Sequence, residues 1–131
     1  MAVAPTPDQL LAILKHTTVT LVRREGSDLS ARQLAVFLTC YLIDSGHTVR
    51  GLAADLNVSK PAITRALDRL GELDLARRKT DPADRRSVLV QRTVKGAGFL
   101  RDLQKILSEA STAARKGPPV NQEPAKRAAR A

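Results

Sequence analysis

Thr48-Val-Arg-Gly-Leu-Ala-Ala-Asp-Leu-Asn-Val-Ser-Lys-Pro-Ala-Ile-Thr-Arg-Ala-Leu-Asp-Arg-Leu-Gly-Glu-Leu73 is the stretch that decides the fold. Thr48 and Ser59 are residue types whose side-chain oxygen satisfies a free N–H at a helix start. Thr48 therefore opens a short helix over 49–56. Asn57 and Val58 turn the chain, and Ser59 caps a second helix that runs to about Leu73. Two short helices joined by a tight turn is the spacing of a helix-turn-helix. At about 100° per residue, Ile63, Leu67 and Leu70 cluster on one side of the second helix, with Ala62 and Ala66 flanking. That side must be buried. Pro61, Thr64, Arg65 and Asp68 fall on the other side, and Lys60 stands at the amino end.

After Leu73 the hydrophobic period shortens. Residues 75–80 and 87–92 read as two strands around the turn-forming Asp81-Pro-Ala-Asp84. A hairpin placed after such helices is a wing. Thr93 then caps a last helix with Leu100, Leu103, Leu107, Ala110 and Ala114 at steps of three and four, and Phe99 and Ile106 widen its apolar stripe. Beyond Lys116 the chain has almost nothing to bury, so 117–131 is expected to be a disordered basic tail.

Working towards the amino end, Ser30 starts a helix with Gln33 completing a capping box, and Leu29 with Leu34 can form a hydrophobic staple across it. Ala35, Phe37, Leu38, Tyr41 and Leu42 make its apolar side, and it ends near Ser45-Gly46. Thr6-Pro-Asp-Gln9 opens a first helix, again with capping-box chemistry and with Pro at the first helical position. Leu10, Leu14, Thr17 and Leu21 follow at helical spacing. The β-branched Thr17-Thr-Val-Thr20 weakens the helix locally, and Gly26 is a natural stop. Residues 1–5 are expected to be flexible. The fold class is mainly α with a small β-hairpin wing, a winged helix-turn-helix in 6–116 whose core is 48–96. Its first and last helices, 6–25 and 94–115, are left for dimerisation.

Composition narrows the function. The 131 residues hold 22 Lys and Arg against 13 Asp and Glu, a formal charge of +9. Such a balance favours polyanionic partners, nucleic acid first and an acidic membrane surface second, although a merely soluble basic domain would look the same. Aromatic residues are 2% of the chain, with no Trp. Single strands are held by stacking bases on aromatic rings, so this scarcity points to duplex. No apolar run approaches the roughly 20 residues needed to cross a bilayer, and Met1 to Pro7 does not resemble a signal peptide. A single cysteine fits a reducing compartment, so the expectation is cytoplasmic. There is no Gly-rich phosphate loop, nucleophile elbow or paired-histidine zinc motif. No enzymatic activity and no cofactor or metal are expected. His16 and His47 are isolated in sequence, and His47 beside Gly46 reads as a loop residue.

The exposed side of the 60–73 helix has the equipment of a groove reader. Arginine can grip guanine through two acceptors, and a threonine offers both hydroxyl and methyl. The alternative is that Arg65 and Arg69 form solvated pairs with Asp68 and Glu72. The wing adds Arg77, Arg78, Lys79, Arg85 and Arg86, suited to phosphate and to the narrow minor groove. Asp81 and Asp84 fit as turn formers that hold an arginine in direction.

Residues 52–70, then Arg77-Arg-Lys-Thr-Asp-Pro-Ala-Asp-Arg-Arg-Ser-Val88, then Thr93-Val-Lys-Gly96, resemble the MarR family of transcription regulators. The Asp-Pro-x-Asp-Arg-Arg wing joined to Thr-x-Lys-Gly is the most specific part. The resemblance covers 48–98 well and the Gln33 helix more weakly. It implies a homodimer on a roughly palindromic double-stranded operator. Pro61, Thr64 and Arg65 would lie in the major groove, Lys60 near the backbone, and Arg85 or Arg86 in the minor groove. Thr48, Ser59, Arg69 and Arg78 complete the candidate DNA-binding set. Many relatives release DNA on binding a small phenolic ligand or on cysteine oxidation, which makes a small-molecule effector a candidate partner and Cys40 a candidate redox position, although a buried inert thiol is the commoner case. The chain departs from the family at Asp74, where a Gly usually precedes the first wing strand, and at Arg92, where a Leu is common and its loss is expected to loosen that edge of the core. Only one helix follows the wing where the family usually has two. Two other functions fit the same residues: a winged-helix adaptor that docks on another protein, and a non-specific basic DNA binder that grips phosphate with Lys126, Arg127 and Arg130.

Overall fold

The capping chemistry written into the sequence sets five helices in a computed structural model that describes residues 3–26 and 28–116. In chain order these are α1 (Pro7–Arg23), α2 (Ala31–Leu42), α3 (Val49–Leu56), α4 (Lys60–Glu72), strands β1 (Ala76–Asp81) and β2 (Asp84–Arg92), and α5 (Val94–Arg115). The expected tail, 117–131, lies outside the described residues, as do Met1 and Ala2 of the expected flexible start. Among the described residues no helix is long and apolar enough to cross a membrane.

Thr6 and Ser30 both form full capping boxes, with Gln9 and Gln33 returning a hydrogen bond to the cap backbone at 2.8 and 2.9 Å. Thr48 accepts from the Gly51 N–H at 2.9 Å, and Ser59 from Ala62 at 3.2 Å. The β-branched run in α1 stays helical because Thr17, Thr18 and Thr20 donate their hydroxyls back to the carbonyls of Ile13, Leu14 and His16, at 2.7–2.9 Å. α1 ends at Arg23, before Gly26, whose φ is +107°. The α3–α4 turn passes through Asn57 in the left-handed region (φ 54°), which a short polar side chain tolerates better than most.

The chain divides into two compact units: residues 26–102, and the residues up to Glu25 together with those from Leu103 onward. In the first, α4 packs on α2, α3 and β1, while β2 rests on α2 and α3. Val36, Phe37, Leu52, Ile63, Leu67 and Leu70 are its fully buried centre. Phe37 stacks on Tyr41 with centroids 4.3 Å apart and meets Phe99 edge-on at 5.2 Å, geometries that aromatic quadrupoles favour. Leu42, expected in this core, is exposed instead: α2 ends there, and the chain turns to solvent.

β1 and β2 pair antiparallel from Ala76 opposite Arg92 to Asp81 opposite Asp84. β2 thus starts three residues earlier than the sequence pattern suggests. The Asp81 carboxylate accepts the Ala83 N–H at 2.9 Å and Asp84 accepts that of Arg86 at 3.1 Å. These bonds satisfy the tip, and the ladder runs on to a turn at Pro82-Ala83. On the other edge of β2, Val90 N–H donates to His47 O at 2.9 Å and Thr48 bridges Leu89, bringing 47–48 alongside the hairpin.

A buried polar knot closes the root of the hairpin. The Tyr41 hydroxyl donates to Leu75 O at 2.7 Å and accepts the Thr93 N–H at 2.9 Å. The Thr93 hydroxyl donates to Asp74 O at 2.6 Å and accepts Gly96 N–H at 2.9 Å, so Thr93 caps α5 as its position suggested. A Cβ at Gly96 would fall 2.6 Å from Tyr41 Cζ and still closer to its hydroxyl and to Leu75 O. Glycine is therefore the side chain that leaves room for the tyrosine. Arg92 does not loosen this edge as expected. Its guanidinium donates to Cys40 O (3.0 Å) and Ile43 O (3.5 Å) and lies 5.7 Å from the Tyr41 ring centroid, thereby capping the carboxyl end of α2.

In the second unit, Thr17 and the α5 residues Leu103, Ile106, Ala110 and Ala114 are buried. Gln9 Nε2 donates to Ala114 O at 3.4 Å. Leu10, Leu14 and Leu107, read as part of the apolar stripes, are exposed, together with Leu11 and Val22. Among the described residues nothing covers these apolar side chains.

Candidate nucleic-acid interface

α4 is held by its underside. Ala62, Ile63, Ala66, Leu67 and Leu70 are buried, so the direction of the opposite side is fixed by close packing. On that opposite side Ser59, Lys60, Pro61, Arg65 and Asp68 are exposed, and Thr64 is half-buried. The oxygens of Thr48 and Ser59 each accept one backbone N–H in capping α3 and α4.

The arginines of the set differ in their engagement. Arg69 pairs with Glu72 at 3.0 Å, as the solvated-pair alternative anticipated. Arg65 does not pair with Asp68; Arg78 of the wing takes that carboxylate. Arg77 holds Asp74 at 3.2 Å, and Arg86 lies 3.6 Å from Asp84. Among the described residues, Lys60, Arg65 and Arg85 of the candidate set have no ion-pair partner, nor do Arg50 on α3 and Lys79 on β1. Glu72, Asp74, Asp68 and Asp84 thus spend their charge on Arg69, Arg77, Arg78 and Arg86, while Asp55 on α3 and Asp81 at the tip pair with no cation among the described residues. The cations left over are Lys60 and Arg65 on α4, Arg50 at the start of α3, and Lys79 and Arg85 on the hairpin. The pairs are solvent-exposed, so each contributes little to stability; they direct side chains.

Arg50 escaped the sequence reading, although its place in the first turn after the Thr48 cap marks it as exposed. The partner of Asp68 escaped too. Strand alternation holds that signal: Ala76 is buried, and Arg78, two residues on, leaves β1 on the same face.

Cys40 is buried, and burial pushes its thiol up to about 11, with the Arg92 charge opposing in part. The reactive thiolate is thus disfavoured at neutral pH. His47, expected in a loop, is buried as well, with Nε2 2.7 Å from Ile43 O. A carbonyl only accepts, so the imidazole donates there and helps Arg92 to close the end of α2.

The family model described as MarR family matches residues 29–88, from just before α2 to the middle of β2. Residues 29–88 are thus similar to a MarR-family domain. The fold extends the likeness beyond the matched span. A crystal structure of MarR is 25% identical, with a TM-score of 0.64 over 99% of this chain and 90% of that one. CouR from Rhodococcus jostii RHA1, determined with p-coumaroyl-CoA bound, is 27% identical, with a TM-score of 0.59 over 82% of this chain and 73% of that one. An S. aureus MepR–DNA complex shares the fold at 16% identity, with a TM-score of 0.64 over 83% and 84% of the two chains. Among curated proteins no sequence match is found. The winged helix of this MarR-like chain is therefore built from the residues that the Thr48–Leu73 stretch announced.

Proposed function

We propose that the chain is a sequence-selective regulator of transcription that binds duplex DNA as a homodimer, with α4 in the major groove and the β1–β2 tip in the minor groove. The observation that carries this reading is the sorting of charge just described: on α4 both carboxylates are paired while Lys60 and Arg65 are not, and on the wing Lys79 and Arg85 are left beside a single unpaired carboxylate, Asp81, which is held by the turn backbone. Arg65, exposed and projecting from a rigidly seated helix, is the base-reading residue, and guanine is its natural target. Thr64 and Pro61 flank it. Lys60 and Arg50 meet phosphate, and Arg85 enters the minor groove, where the potential is most negative. The structural likeness to MepR, solved with DNA, supports this arrangement.

The exposed Leu10, Leu11, Leu14 and Val22 of α1, with Leu107 of α5, supply the apolar surface a second copy would cover. Two α4 helices would then meet half-sites about one helical turn, roughly 34 Å, apart on a palindromic operator. CouR, bound to p-coumaroyl-CoA, supports a search for a small molecule that displaces the DNA.

Selection of preferred sequences from a random duplex pool tests the reading. A two-fold repeated motif is expected, bound by a particle of twice the chain mass. Arg65→Ala should flatten discrimination among sites more than it weakens binding overall. An equal loss on every sequence would remove Arg65 as the reader, and recovery of no motif would remove the proposal.

A further inference from the structure

We infer that Asp68 and Arg78 are positioning residues, a strut between α4 and β1 that sets where the wing stands relative to the reading helix. The inference rests on the DNA-binding reading above and moves Arg78 from contact to support.

The two elements meet at a corner. α4 ends at Glu72, Asp74 turns the chain with φ +57°, and Leu75 N–H donates to Leu70 O at 2.8 Å as β1 begins. A left-handed non-glycine residue is uncommon, and this one is reinforced from two sides: its carbonyl accepts the Thr93 hydroxyl, and its carboxylate accepts Arg77. These bonds fix the vertex. On its β2 edge the hairpin is also tied, Val90 N–H to His47 O and Leu89 to Thr48, but neither set of bonds joins β1 to the reading helix beyond the vertex. The Asp68–Arg78 pair lies away from the vertex, across the open side of the angle. It joins residues ten apart in sequence, one on each arm. The pair is a cross-member on the α4 side, complementing the tie that His47 and Thr48 supply on the other edge.

Charge makes the inference testable in sign. Asp68 shares the outward side of α4 with Arg65, facing the proposed polyanion. If it were only a surface carboxylate, removing it would improve binding to every DNA. If it is a strut, removing it loosens the wing and harms only a site that needs helix and wing in register. Likewise, Arg78 as a phosphate contact would release about one counterion when bound, whereas Arg78 as a strut would not.

The experiment uses the full chain as wild type, Asp68→Ala, Arg78→Ala and the double reversal Asp68→Arg/Arg78→Asp. Each is titrated over a salt series against the duplex selected from the random pool and against an unrelated duplex. Amide hydrogen exchange of 77–80 is followed without DNA. Both single variants should lose about tenfold on the selected duplex and keep the wild-type salt slope. On the unrelated duplex Asp68→Ala should bind as tightly as wild type or more tightly. Exchange across 77–80 should quicken several-fold in the singles, and the reversal should restore both readouts. Tighter binding of Asp68→Ala to both duplexes, or a salt slope lowered by about one in Arg78→Ala, overturns the strut. Unchanged exchange in both singles overturns it too. If wild type selects no duplex, the DNA-binding reading fails, and exchange in the free protein still decides whether the strut exists.

Discussion

The root and the tip of the wing are built from opposite kinds of interaction. At the root, hydrogen bonds among Tyr41, Asp74, Leu75 and Thr93 join residues 19, 34 and 52 apart in sequence. Among the described residues no buried side-chain polar atom lacks a partner. At the tip, Asp81 and Asp84 bond to backbone two residues away, and Arg85 and Arg86 stand in water. The root is over-determined by the whole unit, whereas the tip is determined by itself. Shape is stored where water is excluded, and reactivity towards a partner is left where it is not.

That contrast can be broken in several places. Gly96→Ala should do the most damage, because its methyl would overlap the Tyr41 hydroxyl and the Leu75 carbonyl. A loss of about 3 kcal/mol or failure to fold is expected in denaturant unfolding. Tyr41→Phe keeps the ring against Phe37 yet strips Leu75 O and Thr93 N–H of their shared partner, and should cost about 1–3 kcal/mol. An outcome near zero would mean that water replaces the hydroxyl and that the knot is ornamental.

Cys40 gives a pH test of the same buried region. Its thiol titrates at about 11 in the folded state instead of the usual 9.0, so the folded chain holds that proton more tightly than the unfolded one. The stabilisation is complete below pH 9 and is lost as pH rises through 11, by about 3 kcal/mol in all. The difference in unfolding midpoint between wild type and Cys40→Ala should follow that decline. Thiol reagents at pH 7 should react only as fast as the unit opens; rapid labelling of the native chain would revive Cys40 as a redox position. The smallest effect on stability belongs to the tip. Arg85→Ala should leave the unfolding free energy within about 0.5 kcal/mol and still lower DNA affinity, with a salt slope reduced by about one. If Arg85→Ala destabilised the fold as much as Tyr41→Phe, root and tip would not be different kinds of structure.

The sequence made the local half of this molecule readable. Thr6, Ser30, Thr48, Ser59 and Thr93 each act on backbone within three residues, so their roles need no knowledge of the fold. The buried side of α4 follows from a repeat within one helix. At Asp74 the sequence showed only a departure from the glycine usual in the MarR family, yet the chain makes a left-handed turn there. What could not be read depends on partners far along the chain. Arg92 looked like a misplaced charge until the α2 carbonyls above it were known. The alternative reading offered Asp68 only a partner on its own helix, whereas its partner is on a strand. Leu42, Leu10 and Leu107 fit apolar periods, but a period says which residues share a side of a helix and not whether anything covers it.

The vacancy at Gly96 links two distant positions into a single locus of change. A larger residue at 96 needs position 41 to shrink and the Leu75 carbonyl to move as well, whereas a smaller residue at 41 leaves a glycine at 96 undisturbed. Among homologous chains, a tyrosine at 41 should therefore be found with a glycine at 96.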